Sequence, residues 1–136
     1  MSKWLLPKIV NIPVRHTELG ALGVIEKQDP FPYAIKRVYF LYDIPSKTVR
    51  GSHAHKELAQ LIVAISGSFI VNLDNGTEVT SYYLTSPAEG LFVPPGHWRT
   101  LTDFSSGAAA MVLASEEYSE SDYIRNYEEF LEWKND

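Results

Sequence analysis

Two histidines two positions apart, His53 and His55, are the residues of this sequence best suited to chemistry. Because alternate residues of an extended chain point to the same side, the two imidazoles would stand side by side with Ala54 turned away. Such a pair can bind a metal ion, since His-x-His is a common pair of ligands on one strand. It can also move protons, because histidine titrates near neutral pH. Two surface histidines in a loop are the third possibility.

The segments that would position this pair are predicted to be short strands separated by turns. One is rich in β-branched and aromatic residues, and another is continuously apolar, as in a strand buried on both faces. The Asn-Gly pair at positions 75–76 is a strong hairpin signal between two further strands. The predicted strands are residues 8–14 (interrupted by Pro13), 20–26, 37–42, 61–65, 68–73, 77–84, 90–93 and 108–114.

The C-terminal segment has a helical pattern instead. Ser121 and Asp122 are predicted to cap a helix. Its apolar residues recur at helical spacing: Tyr123, Ile124, Tyr127, Phe130 and Leu131. Many short strands, tight turns and one terminal helix predict an all-β fold, a small antiparallel barrel or jelly roll with a short C-terminal helix. We expect residues 1–136 to form one domain.

Composition excludes several functional classes. The 136 residues include no cysteine, which excludes disulfides, zinc–thiolate sites and cysteine nucleophiles and suits the reducing cytoplasm. The net charge of −5 argues against a nucleic-acid partner. No apolar run approaches the length of a membrane span. We therefore predict a soluble cytoplasmic protein that binds neither nucleic acid nor membrane.

The spacing around the histidine pair resembles the two motifs of cupin proteins. In the first cupin motif, a glutamate follows the second histidine by five residues and a glycine follows by seven more. Here His55 is followed at those distances by Gln60 and Gly67. The second motif places a histidine three residues after the glycine of Pro-x-Gly. Here Gly96 is followed at that distance by Arg99, so two of the four usual metal ligands are replaced.

These replacements favour a site without a metal. An amide is a poor ligand, and a guanidinium stays protonated and cannot coordinate a cation. His97 could supply a third ligand, and this is the main way in which a metal could still be bound. The guanidinium of Arg99 can instead donate two parallel hydrogen bonds to a phosphate or carboxylate. Arg37 and Arg50 could contribute further positive charge to such a site. Tyr39 shares strand parity with Arg37, so one strand could present a cation and a phenol to one cavity.

The sequence resembles the dTDP-4-oxo-6-deoxyglucose 3,4-ketoisomerases, the WxcM-like cupins of sugar-nucleotide pathways. The resemblance extends from about residue 30 nearly to the end of the chain. An Arg-Gly-x-His-Ala-His motif together with Pro-Pro-Gly is far more specific than His-x-His alone. The matching segments are residues 35–40, 50–55, 66–69, 93–96 and 122–127, together with Gln60.

The resemblance implies an isomerase that moves the ketone of a dTDP-linked 4-oxo-6-deoxyhexose from C4 to C3 through an enediol, without a metal or other cofactor. Such enzymes serve the synthesis of dTDP-3-amino-3,6-dideoxyhexoses for surface glycans. The implied acid and base are His53 and His55, with Tyr39 assisting. The implied substrate-binding residues are Arg37, Arg50, Gln60 and Arg99. Family members are homodimers that exchange N-terminal strands, which would be residues 9–12 here.

One position departs from the family pattern. An acidic residue followed by Arg-Gly is expected near residues 16–22, whereas this sequence has Glu18-Leu19-Gly20. If the missing arginine contacts the nucleotide, Arg15 could replace it. A sugar-nucleotide epimerase and a non-catalytic sugar-binding cupin are the alternatives, and a metal-dependent dioxygenase is the least favoured. Gluco and galacto products are both compatible with these residues, as are both assignments of acid and base to the histidines.

Overall fold

Residues 5–136 are described by a computed structural model, and they form short strands, one 3₁₀ helix at Glu120–Asp122 and one C-terminal α-helix. Every pair of neighbouring strands among them is antiparallel. No helix in this part of the chain is long and apolar enough to cross a membrane. The elements are β1 Lys8–Asn11, β2 Val14–Thr17, β3 Gly20–Gly23, β4 Arg37–Leu41, β5 Arg50–His55, β6 Gln60–Ser66, β7 Phe69–Asp74, β8 Val79–Leu84, β9 Glu89–Val93, β10 Trp98–Thr102, β11 Ala109–Ala114, β12 Tyr123–Ile124 and α1 Tyr127–Lys134.

Two five-stranded sheets supply the main body of the fold. The first has the order β1-β9-β6-β11-β4 and the second has the order β12-β5-β10-β7-β8, while β2 and β3 form a separate hairpin. Apolar side chains from the facing sides of both sheets form the central core, including Ile62, Val71, Leu91, Leu101 and Val112. This double-sheet arrangement is a cupin-type jelly roll, and it confirms the predicted all-β fold.

Strand β6 is buried on both faces, as its continuous apolar run predicts. Its residues alternate between the central core, which contains Ile62 and Ala64, and a second cluster, which contains Leu61 and Val63. In that second cluster they meet Phe31 and other residues that precede β4. The outer face of the first sheet is therefore covered in part by the N-terminal segment of the chain.

The hairpin prediction at positions 75–76 is confirmed, since β7 and β8 pair along their whole length on either side of it. The Asn75 side-chain oxygen accepts hydrogen bonds from the backbone N–H groups of Thr77 and Glu78, which holds the turn. The predicted strand 8–14 is divided at Pro13 into β1 and β2, because proline cannot donate a ladder hydrogen bond.

The predicted start of the C-terminal helix is wrong. Helix α1 begins at Tyr127, and the side chain of Asn126 caps it by accepting a hydrogen bond from the backbone N–H of Glu129. Residues 123–124 instead form β12, which pairs with β5. The carboxylate of Asp122 cannot act as a helix cap because His55 and the backbone of the turn after β5 engage it.

Candidate active site

Strand β5 directs the histidine pair into the space between the two sheets. Ala54 packs on the opposite face against Phe130 of helix α1, so its two neighbours point inward. His53 and His55 are only 8% and 4% exposed. Their ring centroids are 4.9 Å apart and the ring planes are nearly perpendicular. The side-by-side placement expected from the spacing is therefore present, in a buried setting.

Strand β10 brings a buried guanidinium against the first histidine. Arg99 is the register partner of His53 and is 3% exposed. Its Nε and Nη2 atoms lie 3.2 and 3.1 Å from His53 Nε2. Because a guanidinium can only donate hydrogen bonds, His53 Nε2 must be the acceptor, and the proton of the neutral ring lies on Nδ1.

A phenol from the facing sheet completes this network. Tyr39, on β4, accepts a hydrogen bond from Arg99 Nη2 at 3.1 Å and another from Gln60 Nε2 at 3.0 Å. Two donors therefore occupy its oxygen, and its own O–H proton is left to donate elsewhere. The network joins strands of both sheets across the interior of the jelly roll.

A second tyrosine covers the histidine pair. The ring centroid of Tyr123 lies 4.9 Å from that of His53 and 4.4 Å from that of His55. Its hydroxyl accepts a hydrogen bond at 3.3 Å from Arg37, whose guanidinium also lies 4.5 Å above the ring of Tyr39. Arg37 therefore lies at the edge of the network, between two aromatic side chains.

Asp122 contacts the outer nitrogen of the second histidine. Its Oδ2 atom is 3.0 Å from His55 Nδ1, and its Oδ1 atom accepts a hydrogen bond of 2.7 Å from the backbone N–H of Glu57. The two histidines thus have opposite electrostatic neighbours. A cation donates to His53, and an anion accepts from His55.

Burial keeps both imidazoles neutral. Burial and, next in size, the positive charge of Arg99 lower the pKa of His53 from 6.5 to about 2. Burial and Arg99 also lower the pKa of His55, to about 4, against the opposing effect of Asp122. Both rings are therefore uncharged at pH 7, the state in which an imidazole can accept a proton.

These shifts predict a loss of stability in mild acid. Because the pKa values of His53 and His55 rise from about 2 and 4 in the fold to about 6.5 on unfolding, the unfolded chain binds more protons below pH 6.5. The contribution of these two buried, neutral histidines to the free energy of unfolding is therefore complete above pH 6.5 and declines as the pH falls. Lowering the pH from 7.5 to 5 should lower the free energy of unfolding by roughly 2 kcal/mol for each of the two.

Urea denaturation at the two pH values measures this loss. In the His55→Asn variant, the fall in the free energy of unfolding between the two pH values should be smaller by roughly 2 kcal/mol, the contribution of one histidine. The exposed His16 is the matched control, and His16→Asn should leave the loss unchanged. An unfolding free energy that is the same at both pH values would contradict the prediction.

The surroundings of His53 do not suit a metal ion. Arg99 donates to His53 Nε2, and its positive charge beside this nitrogen would repel a cation. Within residues 5–136 no group of three or more histidine, aspartate or glutamate side chains is placed to hold a metal. The third ligand considered from the sequence, His97, has its Nδ1 atom 3.1 Å from the carbonyl oxygen of Pro94.

Comparison with known proteins identifies the family. The family described as WxcM-like, C-terminal (FdtA) matches residues 6–135. The chain belongs to this family. The TDP-4-oxo-6-deoxy-alpha-D-glucose-3,4-oxoisomerase of Aneurinibacillus thermoaerophilus is 43% identical over 126 residues, which cover 93% of this chain and 91% of that protein.

Two solved structures are similar to this WxcM-like chain over nearly its whole length. A 3,4-ketoisomerase from Helicobacter canadensis is 41% identical with a TM-score of 0.93, covering 96% of this chain and 98% of that one. QdtA, a sugar 3,4-ketoisomerase from Thermoanaerobacterium thermosaccharolyticum in complex with TDP, is 34% identical with a TM-score of 0.92, covering 95% and 94%. The resemblance inferred from the motifs is thereby confirmed.

Most of the residues singled out in this WxcM-like sequence meet in one place. Five of them form the buried network: His53, His55, Tyr39, Gln60 and Arg99. Arg37 lies at its edge, and Arg50 is exposed at the start of β5. Leu19 is 99% exposed at the tip of the β2–β3 hairpin.

Three residues near the network were not singled out as site residues from the sequence. Asp122 and Tyr123 were interpreted as part of a helix, although they belong to a segment that matches the family. Gly51 has a φ of +70°, and a Cβ there would lie 3.3 Å from the Arg99 guanidinium. The glycine of the Arg-Gly-x-His motif thus leaves room for a side chain distant in sequence, which spacing along β5 alone could not reveal.

Proposed function

We propose that this protein is a 3,4-ketoisomerase that moves the ketone of dTDP-4-oxo-6-deoxyglucose from C4 to C3. The observation that carries the proposal is a buried pair of neutral histidines beside an arginine and a phenol, in a chain 43% identical to a 3,4-oxoisomerase of this sugar. Neutral imidazoles can take and return protons at pH 7, which is the only chemistry this isomerisation requires.

The reaction balances without any co-reactant. The C4 ketone makes the hydrogen on C3 acidic, and a base removes that proton. The electron pair of the C3–H bond forms a C3–C4 double bond, and the carbonyl oxygen becomes the hydroxyl of an enediol. The C3 hydroxyl then loses its proton as C4 gains one, so C3 is oxidised and C4 is reduced within one molecule. We therefore propose that no metal or other cofactor takes part.

The residues have distinct roles in this proposal. His53 and His55 exchange protons with the sugar carbons and oxygens. Tyr39 donates its remaining O–H proton to the oxygen that becomes negative in the enediolate, because its own oxygen already accepts two hydrogen bonds. The positive charge of Arg99, which is 3% exposed, stabilises that oxygen in a buried setting, where such stabilisation is strongest.

Unused hydrogen-bonding capacity supports sugar binding at the network. His55 Nε2, Gln60 Oε1 and Arg99 Nη1 are buried and have no partner among residues 5–136. Buried polar atoms are normally hydrogen-bonded, so these three favour a polar ligand. We assign Gln60 and Arg99 to the sugar, and the half-buried Arg37 and exposed Arg50 to the diphosphate, for which guanidinium groups are well suited.

Proton NMR of the protein with dTDP-4-oxo-6-deoxyglucose in heavy water tests the proposal. The expected product has its ketone at C3 and a new hydroxyl at C4, with deuterium at C4 wherever the transferred proton exchanges with solvent. A ketone that stays at C4 while a neighbouring carbon inverts would overturn the proposal in favour of an epimerase. An unchanged substrate would overturn it in favour of a binding protein.

A C3 ketone is the group that an aminotransferase needs to place an amine at C3. We therefore propose that the product feeds the synthesis of a dTDP-3-amino-3,6-dideoxyhexose for a surface glycan. The absence of cysteine from the sequence supports a cytoplasmic location for this step.

We also propose that the protein is a homodimer that exchanges N-terminal strands. In one chain, β1 pairs with β9 at the edge of the first sheet, and the same pairing between two chains would form the exchange. The outer face of that sheet near β4 carries large exposed apolar side chains, among them Val38, Phe40 and Ile65. Clustered apolar exposure of this kind is typical of an interface.

Sedimentation at micromolar concentration tests the dimer. The expected mass is twice the 15.4 kDa of one chain. Phe40→Asp should shift the protein to monomer, because it places a charge on the proposed interface. Tyr83→Asp is the matched control, since Tyr83 is an equally exposed aromatic residue on the second sheet. A wild-type protein that sediments as a monomer would contradict the proposal.

A further inference from the structure

We infer that Asp122 is a positioning residue that fixes the tautomer of His55. Its carboxylate lies 3.0 Å from His55 Nδ1, and the two side chains are only 15% and 4% exposed. An ionised carboxylate has no proton to donate, so the shared proton must belong to Nδ1. The lone pair of the neutral ring is then on Nε2.

The tautomer of His55 matters because it decides whether Nε2 can accept a proton. This atom is buried and has no hydrogen-bond partner among residues 5–136, so it is available to a substrate. With the proton on Nδ1, Nε2 can accept a proton or a hydrogen bond from the sugar. With the tautomer reversed, Nε2 would carry a hydrogen and could not accept. The inference rests on the proposed function, since it assigns a use to this nitrogen.

The carboxylate is itself held in place. Its Oδ1 atom accepts a 2.7 Å hydrogen bond from the backbone N–H of Glu57, and Oδ2 lies 3.4 Å from the backbone nitrogen of Leu58. The turn that follows β5 thus fixes Asp122, and Asp122 in turn fixes the ring at the end of β5. In the catalytic triads of hydrolases, replacing such an orienting carboxylate by an amide lowers kcat by about 10⁴-fold through the wrong tautomer.

Asp122→Asn separates this role from a purely structural one. The amide oxygen can still accept from Glu57, so the turn should stay intact and the melting temperature should change little. The amide NH₂ would then face His55 Nδ1 and favour the tautomer with hydrogen on Nε2. We expect kcat to fall roughly 100-fold while KM changes less than about threefold.

The tautomer can be observed directly by long-range ¹H–¹⁵N NMR of the histidine ring. Wild-type His55 should show hydrogen on Nδ1, and the variant should show it on Nε2. Asp74→Asn is the matched control, because Asp74 also accepts from a backbone N–H and from a ring side chain, Tyr127. This control should leave kcat and the tautomer of His55 unchanged.

Two results would overturn the inference. One is a wild-type His55 with hydrogen on Nε2, and the other is an Asp122→Asn variant with wild-type kcat. The NMR readout does not depend on turnover. If the wild-type protein fails to isomerise the sugar, the proposed function fails, while the spectrum still decides whether Asp122 sets the tautomer.

Discussion

Replacing His53 with asparagine is expected to lower kcat for ketone transfer by about 10³-fold, within the range that general acid–base catalysis contributes. Asparagine cannot take up a proton in the accessible pH range, although its amide oxygen can still accept hydrogen bonds from Arg99. The buried arginine therefore keeps a partner in the variant. We expect folding to be preserved, with loss of turnover rather than loss of protein.

Steady-state kinetics and thermal melting of the same preparation test this expectation. His16 lies in the β2–β3 hairpin and is exposed, so His16→Asn changes the same residue type without touching the network. That control should retain kcat within about twofold. If His53→Asn keeps more than a tenth of the wild-type kcat while remaining folded, the acid–base role of His53 is wrong.

The sequence predicted the parts of this site that depend on short-range geometry. The period of two along a strand placed His53 and His55 together, and the pairing of β5 with β10 brings Arg99 against them. The position of Arg99 could be anticipated because it follows a motif shared with cupins. The jelly roll was predictable for a similar reason, since turn residues and apolar runs mark most of its strands.

Contacts between distant segments could not be predicted in this way. Asp122 is 67 positions from His55, and its side chain has the same local features as a helix cap. Only the pairing of β12 with β5 reveals that it faces an imidazole. Likewise, the two hydrogen bonds to the Tyr39 oxygen require β4, β6 and β10 to meet across the interior.

Replacing Arg99 with methionine is expected to lower kcat/KM by more than about 100-fold. The side chain is 3% exposed, and its hydrogen bonds within residues 5–136 go to two neutral groups, His53 and Tyr39. A buried cation without a carboxylate is costly to the fold, so methionine of similar length should leave the melting temperature unchanged or raise it. Lost activity with retained stability would identify Arg99 as a functional residue.

The pH profile of the same variant tests the electrostatic part of this argument. The charge of Arg99 lowers the pKa values of both His53 and His55, so removing it should raise both of them. The histidine pair would then be protonated at a higher pH, and the acid limb of the kcat/KM profile should move upward in pH. A limb that stays in place would mean that the charge of Arg99 does not lower the pKa values of the pair. If kcat/KM also stayed at the wild-type value, the proposed role of Arg99 in stabilising the enediolate would be wrong. Loss of a group that stabilises negative charge on the sugar in the transition state must lower the rate.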